Sequence, residues 1–134
     1  MKIFRFLLFI CCIAVFTSCT SFGKKYSPDS MHEVYYKGDG VDESNAKKLA
    51  DYLKEQSYFQ ADHKATVQIE KIKDTFNLNF AYDKTSVNAD REAKFLAFGG
   101  LISKNVFNGA PVTINLCDEN LKSFRNLGYA PTAP

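Results

Sequence analysis

Chemistry in the body of this chain, beyond its N-terminal segment, would have to come from one thiol, two histidines or a handful of carboxylates. Cys117 stands directly before Asp118 in the segment LCDENLKSF. At the mouth of a helical turn its thiolate would be favoured by the exposed amides, against the opposing charge of Asp118. Cys117 is therefore the candidate reactive thiol of a sensor or enzyme, although it has no CxxC partner and a cysteine closing a strand also suits simple packing. His32 and His63 are the only histidines, and neither has a second His or a thiol at ligand spacing. Both read as surface residues, and no metal site is expected. The stretch GDGVDES does not meet the calcium-loop pattern of oxygen ligands ending in Glu. Asp90, Glu92, Asp118 and Glu119 fall near predicted helix starts, where they serve as caps and dipole partners rather than as an acid and base pair. With no nucleophile elbow or phosphate-cradling loop, neither a catalytic residue nor a cofactor is expected.

A different chemistry is suggested at Cys19. Lys2 and Arg5 precede an uncharged run from Phe6 to Phe16 that is followed by Thr17-Ser18-Cys19. A positive start, an apolar stretch too short to span a bilayer and small residues before a cut make an export signal. Phe16-Thr17-Ser18-Cys19 resembles the bacterial lipobox, with Phe16 where an aliphatic residue is usual. The resemblance implies cleavage after Ser18, a diacylglyceryl group on the Cys19 sulfur and acylation of the new amino terminus. Several buried acyl chains, each methylene contributing about 0.8 kcal/mol, make such an anchor permanent. Thr20, rather than Asp, after the cysteine implies the outer membrane facing the periplasm if the source is Gram-negative.

Loss of Lys2 and Arg5 from 17 basic residues leaves the mature chain with as many basic as acidic side chains, the acidic ones numbering 15. A nucleic-acid partner, which would call for a basic surplus, is excluded on this balance. Of four cysteines, only Cys117 would remain as a free thiol, so no internal disulfide is expected.

The elements that must position these groups follow from periodicity. Residues 1–18 are the signal, and 19–31, TSFGKKYSPDSM after the cysteine, form a polar tether that holds the domain off the membrane. Residues 32–134 form a single domain with a short tail. HEVYYKG reads as a strand. VDESNAKKLADYLKEQSYF is a helix capped by Asp42, with Val41 packing against Ala46. ATVQIEKI and TFNLNFAY are strands joined at Lys73-Asp74. NADREAKFLAFGGLISKNVF is a more buried helix, whose Gly99-Gly100 pair signals a close approach or a bend. VTINL is the last strand. The order βαββαβ predicts an α+β fold, a four-stranded antiparallel sheet with both helices on one face, the ferredoxin-like arrangement. Residues out of phase with the core, Tyr35, Lys37, Gln68, Glu70, Asn77, Asn79 and Asn115, then make a polar shelf on the other face. It is either a solvated surface or a binding face rich in amides.

VFNGAPVTINLCDENLKSFRNL, together with VYYKGDGVDESNAKKLADYLKEQSYF, resembles an uncharacterised bacterial module with a GAPV turn leading into an LCD strand end. The resemblance implies a real domain and names no activity. The expected function is that of a lipid-anchored envelope protein acting as a non-catalytic protein-interaction module, with an envelope protein as partner. The alternatives are a glycan or peptidoglycan binder, for which SPOR-type modules of the same strand order offer an analogy, and the Cys117 sensor or enzyme.

Overall fold

The computed structural model describes residues 22–134. Cys19, the signal and the lipobox lie outside the described residues. Six strands form one sheet: β1 (Lys24–Tyr26), β2 (His32–Lys37), β3 (Ala65–Ile72), β4 (Thr75–Ala81), β5 (Val112–Cys117) and β6 (Ser123–Ala130). They lie side by side in chain order. The pairs β1-β2, β3-β4 and β5-β6 are antiparallel, while β2-β3 and β4-β5 are parallel. Helix α1 (Glu43–Glu55) crosses from β2 to β3, and α2 (Ala89–Val106) from β4 to β5.

This corrects the expected ferredoxin-like fold. The sheet is mixed and six-stranded, because each helix returns the chain to the very next position instead of leaving a gap for another strand. Two strands were not predicted. β1 is three residues of the presumed tether, Lys-Lys-Tyr, and carries no period. β6 occupies the presumed helical turn and tail; as an edge strand it has half of its residues exposed and shows no clean alternation.

The helices begin where the sequence places their caps. Asp42 accepts from the Asn45 amide at 3.1 Å, and its own amide donates to Asn45 Oδ1 at 3.0 Å, closing a capping box with Asn in the role usual for Glu. Asn88 Oδ1 accepts from the Arg91 amide at 2.9 Å and starts α2. Both helices lie on one face: Tyr52 of α1 stacks on Phe98 of α2, with ring centroids 6.1 Å apart. Ala46, Leu49 and Leu53 pack with Phe95 and Ile102 over Val34, Val67, Ile69, Leu78, Phe80, Ile114 and Leu116 in one core.

The glycine pair serves close approach. A Cβ on Gly99 would come within 2.8 Å of Ala130 and Ile114, and one on Gly100 would collide with the Pro131 carbonyl. The C-terminal residues are strapped across α2 at this point: the Ala133 amide donates to Gly100 O at 3.1 Å, and Ser103 Oγ lies 2.8 Å from Thr132 Oγ1.

Candidate functional site

The face of the sheet opposite the helices carries the residues expected there, but it is not a solvated shelf. Gln68, Asn79 and Asn115 are 4, 8 and 7% exposed. The register explains how they meet. Tyr35, Gln68, Asn79, Asn115 and Asn126 stand directly opposite one another on successive strands, and beside them runs the row Lys37, Glu70, Asn77, Thr113 and Tyr129. Period-two alternation puts both rows on one face of β2 to β5, and a register shift in the β5-β6 ladder lets Asn126 and Tyr129, three residues apart on β6, stand opposite Asn115 and Thr113.

The amides form a directed chain. Asn115 Nδ2 donates to Asn79 Oδ1 at 3.0 Å, Asn79 Nδ2 to Gln68 Oε1 at 2.7 Å, and Gln68 Nε2 to the backbone carbonyl of Phe22 at 2.9 Å. Because the chain ends on a carbonyl, which can only accept, the orientation of every amide is set. Each bond also polarises the next. Asn115 Nδ2 and the Thr113 hydroxyl both donate to Asn77 Oδ1 as well. All fully buried side-chain nitrogens and oxygens among the described residues have partners.

Around this network lies a cavity of about 400 Å³, lined by Lys37, Gln68, Glu70, Asn77, Asn79 and Asn115, and further by Phe22, Leu121, Ser123 and Asn126. The charged pair within it, Lys37 and Glu70, stands 3.9 Å apart, so the lining is neutral as a whole. Tyr35 sits at the margin. Its hydroxyl donates to Glu33 at 2.9 Å, its ring meets Phe22 edge-on with centroids 5.3 Å apart, and burial, followed by the Glu33 carboxylate, raises its hydroxyl above the usual tyrosine value. Tyr129, 55% exposed, adds an open aromatic ring to the same face. Sequence reasoning missed Phe22, Leu121, Ser123 and Asn126. They sit just before β1, in the turn before β6 or on β6 itself, where no periodic signal exists.

The other chemical candidates disperse. Cys117 is fully buried at the end of β5, and no helix follows it. Asp118 instead organises a turn, accepting from the Asn120 and Lys122 amides at 2.9 and 3.0 Å. Burial first, then the Asp118 charge, push the thiol up to about 11, so the helix-favoured thiolate has no basis here. His32, expected at the surface, is 3% exposed. Its ring stacks on Phe59 with centroids 4.5 Å apart. Nδ1 meets Asp29 at 2.7 Å, and Nε2 meets the carbonyls of Gln60 and His63, both at 2.9 Å. It pins the loop between α1 and β3 to the start of β2. His63 is exposed beside Asp62.

No group of His, Cys, Asp and Glu among the described residues could hold a metal ion. No helix among them is long and apolar enough to cross a membrane. A second cavity, of about 390 Å³, lies between the end of α1 and α2, walled by Tyr58, Tyr82, Phe95 and Phe98, with Arg91 and Lys94 beside them. Arg91 donates to the Tyr82 hydroxyl at 2.5 Å, and Lys94 pairs with Asp90 at 3.0 Å.

No curated protein and no solved structure matches the chain. A protein-family model does, over residues 29–128, from the approach to β2 through most of β6, and on that match the chain belongs to the AF_1994_N family, an uncharacterised family N-terminal domain.

Proposed function

We propose that this is a lipid-anchored, non-catalytic binding domain of the bacterial cell envelope, and that its polar sheet face takes an uncharged, hydroxyl-rich ligand, a glycan. The observation that carries the reading is the amide chain from Asn115 to Phe22 O: three nearly buried amides, held in one orientation, border a cavity of about 400 Å³. Asn115 Oδ1 and the remaining amide hydrogens take no partner among the described residues and can bond a ligand, and pre-arranged donors and acceptors lose little entropy on binding. Tyr129 supplies the flat apolar surface on which the C–H face of a sugar ring can rest. The analogy with SPOR-type binders lapses with the strand order, so the reading stands on the site alone.

Binding of the full chain to purified cell-wall sacculi and to a panel of oligosaccharides tests it. Tyr129→Ala is expected to weaken binding about tenfold, the equivalent of about 1.4 kcal/mol, with an unchanged melting temperature. Failure to bind any glycan at low salt would remove the proposal.

A protein partner is the second reading, favoured by β6. It is an eight-residue edge strand, paired on one side only among the described residues, onto which an extended segment of another chain could add. A photo-crosslinking residue at Arg125 should then yield one defined envelope adduct in cells.

A further inference from the structure

The short strand β1 changes where an anchored domain must stand. Beyond residue 22 the chain is already part of the fold: the Phe22 carbonyl accepts from Gln68, its ring lies against Tyr35, and Lys25 pairs with Tyr35 across the β1-β2 ladder. With the lipid on Cys19, three residue steps separate the anchor from Phe22, a span of at most about 11 Å even when fully extended. The polar layer of one leaflet is about 5–8 Å deep. Phe22 is itself part of the cavity wall. The anchor therefore holds the polar face, not the helices, against the headgroups.

We propose that the cavity receives the glycosyl headgroup of a glycolipid in the leaflet that holds the anchor. This rests on the anchor and glycan reading above and names the source of the sugar. The lining is neutral because Lys37 and Glu70 answer each other, so it offers no free cation to an anionic phosphate headgroup, whereas amide donors and acceptors match hydroxyls. A wall polymer would have to thread between the domain and the bilayer to reach the same cavity. A headgroup is already there, and sharing a leaflet gives it an effective concentration in the millimolar range, so a few hydrogen bonds suffice.

The test uses the full lipidated protein reconstituted in vesicles. Because Cys117 stands opposite Ser123 in the β5-β6 ladder, the probes are made in a Cys117→Ser background, with a fluorophore placed through Ser123→Cys at the cavity or Lys48→Cys on the exposed side of α1. Headgroup-level spin-labelled lipid is expected to quench the Ser123 probe and spare the Lys48 probe. A flexible insertion of about twelve residues after Ser21 should abolish the difference. Equal quenching of both probes on vesicle-bound protein would overturn the inference and leave the anchor standing; protein that leaves the vesicles would instead overturn the anchor.

Phosphatidylcholine vesicles carrying diglucosyl-diacylglycerol should then shift the Ser123 signal saturably. The half-buried Asn77→Ala and the buried Asn115→Ala are each expected to raise the midpoint about fivefold to tenfold. An identical response to plain phosphatidylcholine vesicles would refute the glycolipid assignment. Binding to sacculi without any response to the glycolipid would also refute it, and would return the ligand to the wall.

Discussion

At the scale of single residues, His32 is a buried clamp between the start of β2 and the loop before β3. Its Nε2 meets the carbonyls of Gln60 and His63, 28 and 31 residues away in the chain. His32→Phe would keep the stacking on Phe59 but leave Nε2's carbonyl partners unanswered. A loss of about 2 kcal/mol by denaturant titration is expected. Asp29 shares this clamp. Its carboxyl lies below the ordinary 3.8, first through the hydrogen bond with His32 and then through the Met31 amide. A lowered acid stabilises the fold above 3.8 and ceases to do so as pH falls through its lower folded value. Asp29→Asn should therefore flatten the acid limb of a stability curve below pH 4. Cys117 works in the opposite sense. Its folded value of about 11 exceeds the ordinary 9.0, so the unfolded chain ionises first and stability should fall as pH rises above 9. Thiol alkylation at pH 8 should be slow until denaturant is added.

At the scale of elements, α1, α2 and the strands β2 to β5 were legible because each has an apolar period or a cap. The polar rows were legible for the same reason: whatever alternates away from the core must share the other face. Their burial was not legible, since it depends on Phe22, the turn around Leu121 and β6, which carry no pattern. The glycine pair could be flagged but not interpreted until Ala130, Ile114 and Pro131 were seen pressed against it. Two outcomes follow for α2. Gly99→Ala should cost about 1–3 kcal/mol by wedging the helix off β5 and β6. Gly100→Ala should displace the C-terminal strap, seen as faster hydrogen exchange at the Ala133 amide, with a smaller loss of global stability.

At the scale of the whole molecule, the misjudged fold has a topological reason. Interleaved strands let both crossovers be right-handed while both helices share a face. In this sheet β2 and β3 run opposite to β4 and β5, both crossovers step the same way, and both helices share a face, so the two crossovers have opposite hands. Right-handed crossovers account for about 98% of such connections, and that preference steers any reading of βαββαβ toward interleaving. Family membership over residues 29–128 covers both crossovers, so the same arrangement is expected in any other chain with this domain. A solved structure of one would test it.

The succession of strands in chain order also bears on how the domain comes into being. Every ladder in the sheet joins sequence neighbours, so no strand waits for a distant partner before it can pair. Such a chain can grow its sheet progressively from the amino end as it emerges from a pore, each hairpin or crossover docking on an edge already made, with little loop-closure entropy to overcome at any step. The last strand then pairs with β5, and the strap closes over Gly100 of α2. A nascent chain stalled before Ser123 should thus already hold a protease-resistant core, yet leave β5 open as an adhesive edge.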